Sequence, residues 1–342
     1  MDSDFANLEF HNFAGLKPAS GWRGLELHRF PEHIRTLTGA QSPLGGEIRF
    51  VTAAPEVKVH FAFCAPDTTS GSARIRVYRG DCEQELAGNL SLKPGRITTI
   101  VIPGSTMLDR MRPETIPARG FAPQVWRIAV DEMPTVVFCG LDTAGYPVRK
   151  PFAEEKPRLK YLALSGSVGQ FGFDVFSSIA ARRLGLDRTS FAMAGRNVWQ
   201  DEYVDYVSSV ADEFDIITFM YGLNVIPKTP TDEIKRRMRN MLAKLTAKRP
   251  ERPVLALPTY DCNLDRLADP ERDPYFRPYL ELKQVFAQAV SEFAVKANVH
   301  SIPGNSLMDD PGAIYTDGLH LGVYGQVLLG IRLADVMEGY LK

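Results

Sequence analysis

Tyr161-Leu162-Ala163-Leu164-Ser165-Gly166-Ser167 reads as a buried strand that ends in a Gly-Ser turn. Further apolar runs lie downstream at Ser190–Ala194, Ile216–Tyr221, Val254–Pro258 and Val299–Ile302, and the first run spans Leu159–Leu164. Helical spacing fills the intervals at Phe173–Leu184, Asp201–Phe214, Asp232–Ala247 and Tyr275–Ala297, and a last apolar helix-like run covers Val323 to Leu341. Buried strands alternating with helices predict a parallel sheet covered on both faces. Five such strands with right-handed crossovers predict a flavodoxin-like three-layer α/β/α domain over 158–342. In such folds, sites lie beyond the carboxyl ends of the strands.

Upstream the pattern differs. Short β-branched or alternating runs recur at Glu47–Thr52, Val57–Phe63, Ala73–Arg79, Ile97–Ile102, Val125–Val130 and Thr135–Gly140. Turn-forming stretches such as Ala65-Pro66-Asp67 and Lys93-Pro94-Gly95 separate them. This spacing predicts an antiparallel, jelly-roll-like β-sandwich over 1–148. Arg74-Ile75-Arg76-Val77-Tyr78-Arg79 alternates strictly, so one face of that strand is expected to be wet. Residues 149–157, charged and punctuated by prolines, read as a linker.

The 342 residues favour two domains. A net charge of −1, from 40 basic and 41 acidic residues, argues against nucleic-acid or anionic-membrane partners. No apolar run approaches a membrane span. Met1-Asp2-Ser3-Asp4-Phe5 has neither a basic nor an apolar signal region, so a cytoplasmic location is expected, although a removed signal would leave the same sequence. The four cysteines, Cys64, Cys82, Cys139 and Cys262, lack metal-ligand spacing and are expected as thiols rather than a disulfide. The six histidines form no metal pattern with carboxylates, and no cofactor is expected.

The chemistry-bearing residues fall at the predicted strand ends. Ser167 follows the first strand, Gly195 the second and Asn224 the third. Near the carboxyl end, Asp317-Gly318-Leu319-His320 sets an acid and a histidine three residues apart, the spacing of one helical face. The carboxylate can accept from Nδ1–H, which leaves Nε2 to take a proton from a nucleophile. Ser167 is that nucleophile, with Ser165 the competing serine in a position where the strand should still be buried. Backbone N–H groups of Ser167 and Gly195, with the Asn224 amide, suit an oxyanion hole. Arg196 suits an anionic acyl group or an ion pair with a carboxylate such as Asp201. Trp199 suits a sugar-stacking wall or the core, and Trp22 and Trp126 carry the same alternatives. Asp261 to Tyr275 is a polar loop placed to form a rim or lid.

This pattern resembles the SGNH (GDSL-like) hydrolase family over roughly residues 158–342. The family's Gly-Asp-Ser or Gly-Ser-Ser block reads Ser165-Gly166-Ser167 here, so its glycine is moved one place and its middle residue differs. Its second-block glycine maps to Gly195 and its third-block asparagine to Asn224, with Val225 where an aspartate usually follows. Its Asp-x-x-His block is intact at Asp317 and His320. A sandwich ahead of such a domain is similar to two-domain carbohydrate O-acyl esterases. The resemblance implies deacylation of an acylated carbohydrate through an acyl-enzyme. Two other classes compete: a catalytically inert glycan-binding protein on the same scaffold, and a flavin or nucleotide binder. The second lacks the Lys-Ser/Thr of a P-loop after the first strand and leaves Asp317 and His320 without a role.

Overall fold

A computed structural model describes residues 5–37, 42–63, 73–84, 91–92, 94–116, 119–131, 135–170, 172–195, 200–220 and 229–341. The chain divides into two compact units, Met1–Arg158 and Leu159–Lys342.

In chain order the first unit contains β1 (Glu9–His11), β2 (Gly15–Pro18), β3 (Leu25–His28), α1 (Glu32–Arg35), β4 (Glu47–Thr52), β5 (Glu56–Phe63), β6 (Ala73–Arg79), β7 (Cys82–Glu83), β8 (Ser91–Leu92), β9 (Ile97–Pro103), β10 (Val125–Val130), β11 (Val136–Asp142) and β12 (Val148–Arg149). These strands form two sheets. One runs β1-β4-β10-β6-β7, with β12 on β4 and β8 on β6; the other runs β2-β3-β11-β5-β9. All the strand pairs are antiparallel, as the sandwich expectation requires. Alternate side chains meet between the sheets: Ile48 and Phe50, Val57, Val59 and Phe61, Ile75 and Val77, Trp126 and Ile128, and Phe138. Trp126 is therefore a core residue.

The outward face of β6 is not simply wet. Arg76 Nε donates to Asp131 Oδ2 at 2.6 Å, and the Tyr78 ring on the same face lies 5.1 Å from the Arg127 guanidinium. On the neighbouring strands, Glu47 is buried between two guanidinium groups. Arg127 Nε donates to its Oε2 at 2.9 Å and Arg49 Nε to the same oxygen at 2.7 Å. The Phe121 ring lies 4.1 Å from the Arg127 guanidinium and 4.6 Å from that of Arg49. Alternation in sequence marks which side chains leave the core, but not whether paired charges and an aromatic ring will then cover them.

The stretch expected as a linker is stitched to the sandwich. Val148 and Arg149 pair with Thr52 and Val51. Glu155 accepts from Arg149 at 2.7 Å, from the Phe152 amide at 2.7 Å and from Gln124 at 3.0 Å. Lys156 Nζ donates to Glu9 at 2.6 Å. Its charges were legible in the sequence, but their distant partners were not.

The second unit contains β13 (Lys160–Ser165), α2 (Phe176–Leu184), β14 (Asp187–Ser190), α3 (Asp201–Val210), β15 (Ile216–Met220), α4 (Thr231–Thr246), β16 (Val254–Leu257), α5 (Phe276–Ala294), β17 (Val299–Ser301), α6 (Gly304–Leu307) and α7 (Val323–Glu338). Its sheet is parallel, in the order β14-β13-β15-β16-β17. This is the flavodoxin-like order, in which the chain reverses direction across the sheet on either side of β13. Both faces are covered. Tyr161 and Ala163 pack with Phe176 of α2 and Leu329 and Leu333 of α7, while Phe219 of β15 stacks 5.5 Å from Phe286 of α5.

One strand is displaced from its sequence position. Hydropathy predicts Ser190–Ala194, but the strand is Asp187–Ser190. Its polar residues are all buried, and Arg188 donates to Ser177 Oγ at 3.2 Å. Parallel pairing with β13 starts at Asp187 and its backbone bonds continue at Phe191 N to Ala163 O (3.0 Å) and Met193 N to Ser165 O (2.9 Å). Pairing with a neighbour, not local hydropathy, set its start. Cys82, Cys139 and Cys262 are not disulfide-bonded, and Cys64 lies outside the described residues. No described helix is long and apolar enough to cross a membrane.

Candidate functional site

β13 ends at Ser165, and the chain turns at once into a 3₁₀ turn, Ser167–Gly169. Ser165 stays buried. A Cβ on Gly169 would come within 1.7 Å of Ser165 Oγ, so a glycine is needed for the turn to fold back over the strand end. Ser167, half-buried on the turn, holds its hydroxyl 2.9 Å from His320 Nε2. Of the two candidate serines, Ser167 is the one set against the imidazole.

His320 and Asp317 are joined as their spacing suggested, but not on a helical face. They sit in a tight turn closed by Gly318 N to Tyr315 O (2.8 Å) and Tyr315 N to His320 O (2.8 Å), before α7 begins at Val323. His320 Nδ1 is 2.7 Å from Asp317 Oδ2. Asp317 Oδ1 accepts from the amides of Leu319 (2.9 Å) and His320 (3.0 Å). Burial pulls the Asp317 carboxyl upward, but the hydrogen bonds from His320 and these two amides outweigh it and hold its pKa below the usual aspartate value. The ionised acid can only accept, so Nδ1 is the donor, and in the neutral imidazole Nε2 presents an acceptor to Ser167.

Residues that sequence reasoning passed over hold this turn in place. Gly318 has φ +71°, and a Cβ there would lie 2.4 Å from the Asn263 side chain. The Asn263 amide donates to Gly318 O at 2.6 Å, and the buried Tyr260 hydroxyl donates to Leu319 O at 2.6 Å. Both anchors come from the segment following β16. There the expected rim opens with a 3₁₀ turn, Asn263–Arg266, whose Asp265 accepts from the Cys262 amide (3.0 Å), from Lys283 (2.7 Å) and from the Tyr279 hydroxyl. That half of the rim is pinned to α5 rather than loose.

Gly195 follows β14 with φ +86°. The peptide preceding it is tied to the serine turn: Gln170 Oε1 accepts from Ala194 N at 2.6 Å, and Gln170 N donates to Ser167 O at 3.0 Å. Asn224, Arg196 and Trp199 lie outside the described residues. Trp22 is partly buried against Ala62, Val137 and Cys139, within the first unit. Among the described residues no group of His, Cys, Asp or Glu has the arrangement of a metal site.

The sequence model of the GDSL-like lipase/acylhydrolase family matches residues 143–328, more than half of the chain. The chain belongs to this family. It is thus an ester-hydrolysing enzyme, and the reading as an inert binding scaffold is set aside. No curated protein matches the sequence. Among solved structures, the GDSL-like chain is similar to the salicylyl-acyltransferase SsfX3 from a tetracycline biosynthetic pathway. The match has a TM-score of 0.76 and 14% identity, and covers 99% of this chain and 97% of that one. It is similar as well to a family two carbohydrate esterase from Clostridium thermocellum, solved in complex with cellohexaose (TM-score 0.62, 10% identity, 98% and 99% coverage). A carbohydrate esterase family 2 enzyme from Corynascus thermopiles (Myceliophthora fergusii), with a carbohydrate binding domain, matches at TM-score 0.56 and 13% identity, covering 92% and 98%. At these identities the likeness is one of fold, and it spans both units of this GDSL-like enzyme.

Proposed function

We propose that this GDSL-like enzyme is a serine esterase that removes O-acyl groups from a carbohydrate. The observation that carries the proposal is the unbroken hydrogen-bonded line Asp317–His320–Ser167 at the carboxyl end of β13. Ser167 Oγ attacks the acyl carbon while His320 Nε2 takes its proton. The N–H groups of Ser167 and Gly195 and the Asn224 amide receive the oxyanion. His320 then gives its proton to the departing sugar oxygen, which leaves an acyl-enzyme on Ser167. Water, deprotonated by His320, releases the acid. Asp317 keeps the imidazole in the working tautomer throughout. The carbohydrate part of the reading is supported by the sandwich-plus-α/β organisation shared with the two carbohydrate esterases.

The acyl group is acetyl, or an anionic group such as succinyl if Arg196 faces the substrate. A panel of acylated glycans, with the released acid identified, tests the substrate class. Ser167→Ala should abolish turnover of p-nitrophenyl acetate, and a fluorophosphonate should label Ser167. Label on Ser165 would refute the assignment of the nucleophile. Arg196→Ala should lower kcat/KM for a succinyl ester by about 10²-fold and spare the acetyl ester of the same alcohol. Equal loss on both would make Arg196 structural. The fold shared with an acyltransferase favours including a sugar or phenolic acceptor in the assays. Acyl transfer to that acceptor in preference to water would redefine the enzyme as a transferase with the same acyl-enzyme.

A further inference from the structure

The Ser167–His320 hydrogen bond joins two segments 153 residues apart, and neither turn by itself fixes the distance between them. A single side chain ties both to one helix. Gln326 lies on α7, six residues after His320, and it is almost completely buried. Its Oε1 accepts from the Phe176 amide at 2.9 Å, at the first residue of α2. Its Nε2 donates to the Val168 carbonyl at 2.9 Å. Val168 is the residue after Ser167. The two partners are chemically opposite, one N–H and one C=O, so they fix the orientation of the amide. Both are backbone groups that the α2 and serine turns would otherwise leave to compete for other partners inside the protein. A primary amide at this position meets both at once, which no apolar residue of the same size can do.

We propose that Gln326 is a positioning residue for the ester reaction: it sets the serine turn against the helix that follows His320, and so holds Ser167 Oγ in line with Nε2. The inference rests on Ser167 and His320 being the reacting pair. Gln326 touches neither substrate nor the reacting atoms. Its effect runs through the Val168 carbonyl on one side and through the first turn of α7 on the other. Misplacement of a nucleophile by about 1 Å is enough to cost on the order of 10²-fold in rate. The loss should therefore fall on kcat rather than on KM.

The test uses the full-length enzyme, titrated with a fluorophosphonate so that rates are expressed per reactive serine. Gln326→Leu should still label fully at saturation, but more slowly. Its kcat on p-nitrophenyl acetate per labelled site should fall roughly 10–100-fold with KM little changed. Parent kcat per labelled site, or a change in KM alone, would overturn the proposal. If Gln326→Leu does not fold, Gln326→Glu decides. Its carboxylate keeps an acceptor for the Phe176 amide but turns an acceptor towards the Val168 carbonyl. Burial raises its pKa, and the neutral acid regains a donor on protonation. The ratio of variant to parent kcat per site should therefore rise as pH falls. A ratio independent of pH would overturn the proposal. If the reagent labels a residue other than Ser167 in the parent, the reading on which this one rests fails instead. Labelling of Ser167 with no Gln326 effect removes only the positioning role.

Discussion

Glu47 and Asp317 are both drawn below the usual carboxylate pKa by basic partners, and they differ in what surrounds them. Glu47 in the sandwich is closed in. Arg127 and Arg49 take its oxygens, Arg49 continues to Glu9 at 3.1 Å, and Phe121 covers both guanidinium groups. Asp317 is about half exposed, and its partner is an imidazole whose other nitrogen faces a hydroxyl. Burial opposes the charge at both sites and is outweighed at both. The pKa direction alone therefore does not tell a structural charge cluster from a reactive one. The distinction lies in whether the line of hydrogen bonds closes on charges of fixed protonation or runs through an imidazole to a hydroxyl. Guanidinium groups cannot give up a proton, so Glu47 has no proton to relay. An imidazole can, so the Asp317 line can do chemistry.

The comparison breaks most sharply at His320. His320→Ala should lower kcat by about 10⁴-fold or more and leave the unfolding transition nearly unchanged, because the side chain is partly exposed and fills no core. Asp317→Asn should follow with a smaller loss of roughly 10²–10⁴-fold, since the imidazole loses its orienting acceptor but keeps its place in the turn. An unaltered kcat in the His320 variant would reduce the Asp317 line to a structural pair like that of Glu47.

Glu47→Ala should do the reverse. It leaves two buried guanidinium groups without their shared partner, at a cost of about 3–5 kcal/mol of stability measured by denaturant unfolding. Its kcat per titrated serine should remain within about twofold of the parent value, because all of its partners lie in the first unit. A matching fall in kcat per site would show that the two clusters are coupled.

Acid should act on the sandwich in the same sense. Hydrogen bonds from Arg149 hold Glu155 down at about 2 against an ordinary 4.5, and Glu47 lies well below that ordinary value. Depressed folded-state values contribute stability that is complete above the unfolded pKa and lost as pH falls through the folded one. Stability should thus be flat in these terms above about pH 4.5 and decline towards pH 2. In Glu155→Gln the decline should be shallower. An equal slope in that variant would remove Glu155 from the account.

The smallest effect is expected at Tyr260. Tyr260→Phe removes one hydrogen bond, to Leu319 O, and leaves the ring in place. A net loss of about 1 kcal/mol in holding the Asp317–His320 turn should appear as a fall in kcat of roughly 3–10-fold. A change confined to thermal stability would make Tyr260 a support for the rim segment only.

Much of this architecture was open to inspection in the linear sequence. Continuous apolar runs alternating with helical ones announce a two-faced parallel sheet wherever they occur. The same runs place Ser167 at the end of β13, because a strand buried on both faces must stop where polar turn chemistry begins. The Asp-x-x-His spacing kept the acid and base within reach of each other in a turn as well as it would have in a helix. Hydropathy failed where polar residues were buried. Asp187 to Ser190 form a strand because β13 pairs with them. Residues 148–157 are fixed because Thr52, Gln124 and Glu9 receive them.

What the sequence determined by itself was local. It set which segments must be buried, where they end, and which reactive side chains stand at those ends. The tertiary structure decided that the Ser167 hydroxyl comes within hydrogen-bond reach of the imidazole, and that a tyrosine after β16 and a glutamine in α7 hold the two turns in register. Those decisions depend on hydrogen bonds between groups far apart in the chain. Such bonds are directional and short-ranged, so they exist only after the hydrophobic layers have brought their partners together, and no local pattern encodes them.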